Sequence, residues 1–295
     1  SSAYGYDRPI YLRITSYQQP CIVTISQPAG GGLPAQSFTM PANTTQGIDL
    51  TTWINNIECA PGNIIQNKGI KITSDNNIAV YYEVSVGGPN PEFFAFKGKN
   101  ALGKEFYISS QNILGNSPVL FPTPSSSFNI VATEDNTSVT ITPTNNIVGH
   151  PANIPFVITL NKGQTYAAIA TSQSASQHLE GSYVTSTKPI AITVADDLLQ
   201  GIAFGGACED LAGDQIIPTN IIGSEYIAVK SNLNPPFDKL YITATQNSTS
   251  IMQDGIIVGT LNTGQTKELT VSNNSTYVQT SAPAYAYQLS GLGCE

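Results

Sequence analysis

The chain has 295 residues, of which only 11 % are charged, and a formal net charge of −8. Because one domain takes roughly 100–200 residues, a chain of this length should form two or three compact units. Its 12 lysines and arginines are too few and too scattered to neutralise a phosphate backbone. The sequence has no run of about 18 apolar residues, which is the length that a membrane-spanning helix needs. These properties argue against nucleic-acid binding and membrane insertion.

Predicted strands follow one another along most of the chain. Runs rich in Val, Ile, Thr and Tyr alternate with clusters of Gly, Pro and Asn, and no long window keeps the 3.6-residue apolar period of a helix. A short helix is predicted over residues 50–57. The clearest strands are predicted at residues 10–14, 70–72, 78–82, 139–141, 190–194 and 226–229. The pattern is typical of an all-β protein.

Three parts of the chain resemble one another. An opening strand pair recurs at residues 10–25, 128–141 and 240–253. The spacing between the copies, about the length of one sandwich domain, indicates an internal repeat. Its alignment places Leu12, Ile130 and Ile242 at equivalent core positions.

Shorter motifs recur inside these parts. Asn-Lys-Gly-Gln-Thr at residues 161–165 corresponds to Asn-Thr-Gly-Gln-Thr at 262–266, and Asn-x-Gly is typical of a turn in which Gly takes a positive φ. Residues 98–108 likewise correspond to 218–227. We therefore predict three tandem, sequence-related, antiparallel β-sandwich-like units that pack closely. Their predicted bounds are residues 1–108, 109–229 and 230–295.

Two insertions and one acidic connection distinguish the units and are the predicted ligand-binding loops. Residues 49–69 hold the only tryptophan, Trp53, which is either a platform for a sugar or a plug on its own sheet. Residues 171–181 form a polar insertion in unit two. The acidic connection carries Asp196, Asp197, Glu209, Asp210 and Asp214.

The acidic connection could also bind calcium, which takes six to eight oxygen ligands. The candidate ligands are Asp196, Asp197, Asp210 and Asp214. However, the chain lacks a D-x-[DN]-x-[DN]-G loop, and a solvated acidic loop would explain the same residues. Apart from this possible calcium ion, no cofactor is predicted.

Catalytic motifs are missing from the sequence. The chain has two histidines and neither a G-x-S-x-G elbow nor an H-E-x-x-H helix. The phosphate-loop-like residues 98–104 are followed by Glu105 and a predicted strand, where a phosphate loop needs Ser or Thr and a helix. Paired carboxylates of the acidic connection leave a carbohydrate-active enzyme as a weaker alternative. We predict a protein that is not an enzyme.

The four cysteines have no metal-ligand spacing. Cys21 and Cys59 belong to the same predicted unit, whereas Cys208 and Cys294 occupy the same repeat position in neighbouring units. We predict the disulfides Cys21–Cys59 and Cys208–Cys294, as in an oxidising compartment. The alternative is four reduced, buried thiols.

Several motifs of unit two carry a family resemblance, which covers roughly residues 100–295. They are FNIVATEDNTSVTITP, LNKGQTYAAI, LEGSYVTSTKPIAITVADD and ACEDLAGDQIIPTNIIGSEYIAV, in this order. Their order resembles the N-terminal region of the IgG Fc-binding protein family, which also occurs in large exported bacterial adhesins and gliding-associated proteins. Where that family is expected to have Cys-Asp-His, this chain has Cys208-Glu209-Asp210. The resemblance implies a secreted, multi-module, non-enzymatic adhesive role.

The sequence thus predicts an extracellular binding module of a large bacterial surface or secreted protein, joined to other domains. Its ligand would be a glycan or glycoprotein bound by the inserted loops. The alternatives are a structural spacer that holds another domain away from the surface and, less favoured, the carbohydrate-active enzyme.

Overall fold

Antiparallel β-strands are the main regular structure of the chain in the computed structural model, which describes residues 8–84, 92–119, 121–200, 209–232 and 238–290. The strands are β1 (Ile10–Ser16), β2 (Cys21–Ser26), β3 (Gln36–Met40), β4 (Thr45–Asp49), β5 (Ile65–Gln66), β6 (Lys71–Ser74), β7 (Ile78–Val84), β8 (Glu92–Ala95), β9 (Gly103–Tyr107), β10 (Ser126–Ala132), β11 (Thr137–Thr142), β12 (Phe156–Leu160), β13 (Thr165–Ile169), β14 (Tyr183–Gln200), β15 (Glu209–Ile216), β16 (Glu225–Val229), β17 (Asp238–Ala244), β18 (Thr249–Gln253), β19 (Ile256–Leu261), β20 (Thr266–Thr270), β21 (Ser275–Thr280) and β22 (Ala284–Ser290). The predicted all-β class is confirmed.

The helical segments are short. The helix predicted over residues 50–57 is present as a 3-10 turn, Thr51–Trp53, followed by α1 (Ile54–Ile57). Further 3-10 turns are Gly98–Ala101, Ala175–Gln177 and Thr219–Ile221. None of the helices in the described ranges has the length and apolar character that crossing a membrane would require.

The same strand-pairing pattern occurs three times, and we label the six strands of each group a to f. They are β1, β2, β3, β4, β6 and β7 in group one, β10 to β13 and then the first and second halves of β14 in group two, and β17 to β22 in group three. In every group strand a lies between d and f, and strand b lies between c and e. This recurrence supports the three predicted sandwich-like units, whose existence as separate tandem units stays a prediction.

The register corrects the predicted alignment by two residues in group one. The last residue of each strand a donates its N–H to the carbonyl before strand d: Ser16 to Thr44, Ala132 to Gln164 and Ala244 to Gln265. The counterpart of Ile130 and Ile242 is therefore Ile14, whereas the sequence alignment chose Leu12. Because strand side chains alternate with a period of two, this shift leaves Leu12 in the core as well.

Each of the groups two and three gains one further strand from the segment that precedes it. β9 pairs with β14, and β16 pairs with β21. Phe106 lies opposite Val184 just as Tyr226 lies opposite Val278, which is the correspondence that the sequence alignment predicts. The predicted unit boundaries after residues 108 and 229 assign β9 and β16 to the preceding unit, but both strands extend the sheet of the following group.

The largest buried core belongs to group two. Phe106, Phe128, Ile141 and Leu160 are fully buried there. Strand β14 runs along the whole group for 18 residues, pairing with β11 and β9 in its first part and with β10 and β15 in its second. One strand thus belongs to both sheets of the group.

Neighbouring groups meet at pairs of glycines, which we call the glycine joints. Gly69 and Gly181 each lie two residues before their strand e. Gly69 donates its N–H to the carbonyl of Gly163 over 3.0 Å, and a Cβ on Gly181 would lie 1.9 Å from the carbonyl oxygen of Gly264. Gly163 and Gly264 are the positive-φ glycines of the two Asn-x-Gly turns. The Asn-x-Gly turns of groups two and three are therefore the places where each of these groups contacts the preceding group.

The predicted Cys21–Cys59 disulfide is wrong, since both cysteines are free. Strand β2 explains why: Gln27, just beyond its last residue, donates from Nε2 to the carbonyl of Asn56 over 2.7 Å, whereas Cys21 begins the strand. Gln27 lies six residues after Cys21, about 20 Å along an extended strand, whereas a disulfide allows roughly 7 Å at most between Cα atoms. The Cys59 thiol instead lies beside Thr165 and Lys68, and burial raises its pKa. Cys208 and Cys294 lie outside the described residues.

Candidate functional site

Asp196, the first predicted acidic ligand, is in the interior. It lies in β14, with 2 % of its surface exposed, between Ser126 of β10 and Ala212 of β15. Its Oδ1 accepts a hydrogen bond from Asn116 over 2.9 Å, and its Oδ2 accepts one from Gln111 over 2.7 Å. A carboxylate so buried and so fully bonded stabilises the fold and is not available to a ligand.

His178 completes this buried polar cluster. Its Nδ1 lies 3.2 Å from Oδ2 of Asp196 and 2.9 Å from Nε2 of Gln111. Gln111 Nε2 has two hydrogens, which bond to Leu114 O and to Asp196, so Nδ1 of His178 must carry a hydrogen of its own and donate it to Asp196. Burial alone would lower the pKa of His178, but the Asp196 and Glu180 carboxylates and a hydrogen bond with Gln111 together outweigh this effect, and the pKa is raised.

Three buried atoms in or beside the cluster have no hydrogen-bond partner. They are Oδ1 of Asn116 and, in the insertion at residues 171–181, Nε2 of His178 and Oε2 of Glu180. Burial raises the pKa of Glu180 to about 7. Sequence reasoning missed Gln111 and Asn116, because no short motif distinguishes a buried amide from the many exposed ones in this chain. The cluster joins the insertion, the segment after β9 and strand β14.

The other acidic residues do not gather around one point. Glu209 and Asp210 lie in β15 opposite the last residues of β14, and Asp214 forms an ion pair with Lys97. Burial is the largest effect on Asp214 and raises its pKa. In the described part of the chain, no three His, Cys, Asp or Glu side chains could together hold a metal ion. The calcium site predicted at Asp196, Asp197, Asp210 and Asp214 has no such cluster to support it and stays a prediction.

The predicted ligand-binding insertions are largely occupied by contacts within the protein. Trp53 packs, partly buried, against the core of group one, as expected for a plug. The rest of that insertion reaches group two, where β5 pairs with β13 and Asn63 Oδ1 accepts a hydrogen bond from the Tyr166 hydroxyl over 2.9 Å. In the second insertion, Leu179 is buried in the core of group two. The first insertion therefore connects groups one and two, whereas the second packs into the core of its own group.

Exposed aromatic rings occur instead on the outer face of the d–a–f sheet of group one. Six residues from β1, β4, β7 and β8 line a shallow depression of about 340 Å³ there: Arg13, Thr15, Thr45, Tyr81, Glu83 and Phe93. We call this set the aromatic face. Phe93 is 68 % exposed and Tyr81 39 % exposed, and their ring centroids are 6.4 Å apart at an interplanar angle of 61°. The two rings form a corner that is open to solvent.

Polar groups of fixed position complete the aromatic face. Arg13 Nε forms an ion pair with Glu83, and the Arg13 Cζ atom lies 4.9 Å from the centre of the Tyr11 ring. A Cβ at Gly47 of β4 would lie 2.7 Å from Arg13 Nη1, so this glycine leaves the space in which the guanidinium lies across the strand. The hydroxyl oxygens of Thr15 and Thr45 are 2.8 Å apart. The alternation of β1 produces this surface, since Leu12 and Ile14 face the core between these residues.

A second exposed face lies on the outer side of the c–b–e sheet of group three. Ile227 and Val229 of β16, Tyr277 of β21 and Ile257 of β19 are exposed there. Ile227 is 72 % exposed. Glu225, at the start of β16, interacts with the Tyr277 hydroxyl on this face.

The fold is all-β, and it leaves aromatic and apolar side chains exposed on two sheet faces. Residues 95–294 match the model of the family described as IgGFc binding protein, so the chain belongs to this family. The family places the chain among extracellular binding proteins. No curated protein and no solved structure matches the chain. The family match begins at Ala95, after β1, β4, β7 and most of β8, and so does not include the aromatic face.

Proposed function

We propose that this chain is a non-enzymatic binding module of a large secreted or surface-attached bacterial adhesin, which recognises a glycan or glycoprotein. The observation that carries the proposal is the exposure of aromatic and apolar side chains on two sheet faces, because exposed apolar patches mark interaction sites. The family match supports a glycoprotein partner, since an IgG Fc region is one.

The contacts of the insertions favour these sheet faces over the loops as the binding surface. Residues 49–69 pair with group two, and residues 171–181 contribute Leu179 to the core of group two, so a ligand that displaced either insertion would have to break strand pairing or core packing. Phe93 and Ile227 are already exposed, and binding there costs no such rearrangement.

Binding to an immobilised IgG Fc fragment and to a panel of glycoproteins tests the proposal. Each protein is offered in its native form and after enzymatic removal of its N-glycans, with the 295-residue chain in solution. Saturable binding to at least one glycoprotein supports the proposal. Absence of binding throughout the panel, or catalytic release of sugars from an offered glycoprotein, contradicts it.

A structural spacer is the second candidate, and the glycine joints favour it. Backbone-to-backbone contact at Gly69–Gly163 and Gly181–Gly264 brings neighbouring groups together without intervening side chains. A spacer needs rigidity but no exposed aromatic face. A rigid solution-scattering profile combined with failure to bind any glycoprotein would favour the spacer over the binding module.

A further inference from the structure

We infer that the aromatic face of group one is a binding site for a neutral oligosaccharide. This inference rests on the proposed function and assigns one of its binding surfaces. The site lies outside the residues that match the family, so it is argued from the side chains of this chain alone.

The aromatic corner suits the apolar side of a sugar ring. A pyranose has a face of C–H groups and a rim of hydroxyls, and aromatic rings pack against such flat apolar faces. Phe93 and Tyr81 meet at 61°, so a sugar stacked on one ring touches the edge of its neighbour. Both rings come from adjacent strands, with Tyr81 opposite Ala95 and Glu83 opposite Phe93, and the sheet therefore fixes their positions before a ligand arrives.

The polar groups of the depression suit the hydroxyl rim. Arg13 uses Nε for Glu83 and keeps N–H donors on its terminal nitrogens, while the Glu83 carboxylate keeps acceptor capacity. The hydroxyls of Thr15 and Thr45 can both donate and accept. Paired donors and acceptors in fixed positions match the vicinal hydroxyls of a sugar.

The charges of the aromatic face and of the whole chain favour a neutral ligand. The single cation of the face, Arg13, is paired with the single acid that lines the depression, Glu83, so the site has no net charge to attract an ion. The chain as a whole has a net charge of −8, which repels sialylated, sulfated or phosphorylated ligands. A depression of about 340 Å³ lies at the small end of the usual range for ligand sites, as expected for one or two sugar units.

The test is a glycan array of neutral and sialylated oligosaccharides, followed by titration of each hit by NMR. The variants are Phe93→Ala and Tyr81→Ala, and the matched controls are Phe121→Ala and Tyr17→Ala, which remove somewhat more exposed rings of the same type elsewhere. We expect neutral oligosaccharides to bind the wild type and both controls, and to bind each of the two site variants about tenfold more weakly.

Three results would overturn the inference: no neutral oligosaccharide binds, sialylated ones bind better, or the site variants bind as well as the controls. If a glycoprotein still binds the Phe93→Ala variant normally, the proposed function survives and only this site is wrong. If the wild type binds no glycoprotein and no glycan, both fail. Loss of glycoprotein binding in Phe93→Ala without any binding of free glycans would assign the face to a protein partner and reject the oligosaccharide.

Discussion

Replacement of Gly181 by alanine should loosen the joint between groups two and three. Gly181 has φ +77°, and an alanine there would place its Cβ 1.9 Å from the carbonyl oxygen of Gly264. A left-handed conformation costs an L-residue about 1–2 kcal/mol, and forcing a methyl group into a filled space costs about 1–3 kcal/mol more. We expect a total loss of about 2–5 kcal/mol in the free energy of unfolding.

Gly255→Ala is the matched control for this substitution. Gly255 has φ +85°, but a Cβ there would meet no atom within 4 Å. The control therefore measures the cost of the backbone conformation alone, about 1–2 kcal/mol, and the difference between the two variants measures the contact with Gly264.

Urea denaturation followed by fluorescence gives both free energies, and hydrogen exchange locates the effect. In Gly181→Ala, exchange should accelerate at residues 171–181 and 261–266, on both sides of the joint, whereas in Gly255→Ala it should accelerate only in the β18–β19 hairpin. Equal losses of stability in the two variants, or unchanged exchange across the joint, would refute this account of how the groups are held together.

Three further predictions concern the buried cluster and the cysteines. The pKa of Glu180 is raised to about 7, so the folded protein binds this proton more tightly than the unfolded chain does; the resulting stability is complete below about pH 4.5 and is lost as the pH rises through 7. Urea denaturation at pH 5 and at pH 8 gives the difference in the free energy of unfolding between the two pH values. We expect this difference to be about 1–3 kcal/mol smaller in Glu180→Gln than in the wild type, and an equal difference in the two proteins would contradict the prediction. Asp196→Ala should cost about 3–5 kcal/mol, because it leaves the His178 proton buried without its acceptor; a loss below 1 kcal/mol in the same assay would mean that the cluster is not structural. Alkylation in denaturant without reductant should label both Cys21 and Cys59, and a Cys21–Cys59 disulfide peptide in the mass spectrum would contradict the two free thiols.

Local patterns in the sequence predict the fold well. The alternation in β1 and the Asn-x-Gly turns each depend on a few neighbouring residues, whose side-chain direction and backbone preference can be read directly. Reliance on the same local patterns explains why the sequence alignment placed Leu12, instead of Ile14, opposite Ile130 and Ile242. A shift of two preserves the buried face of a strand, so hydrophobic pattern alone does not reveal it, and hydrogen-bond register does.

The site was harder to predict because its residues meet only through long-range pairing. The sequence predicts Asp196 as a ligand-binding residue of the acidic connection, but β14 continues past it and three partners from two distant segments bury it. Phe93 and Arg13 lie 80 residues apart in the sequence. They share a face only because β7 lies between β1 and β8, an arrangement that no local motif encodes.

The double role of β14 has a consequence for how the protein comes apart. In groups one and three, strands e and f are separate, so one sheet could open while the other persists. In group two, the first half of β14 pairs with β9 and β11, and the second half pairs with β10 and β15. Because the two halves are one continuous strand, displacement of the first half also disturbs the pairing of the second. Group two should therefore unfold in one cooperative step. Under a stretching force, its two sheets should resist unfolding until both separate together.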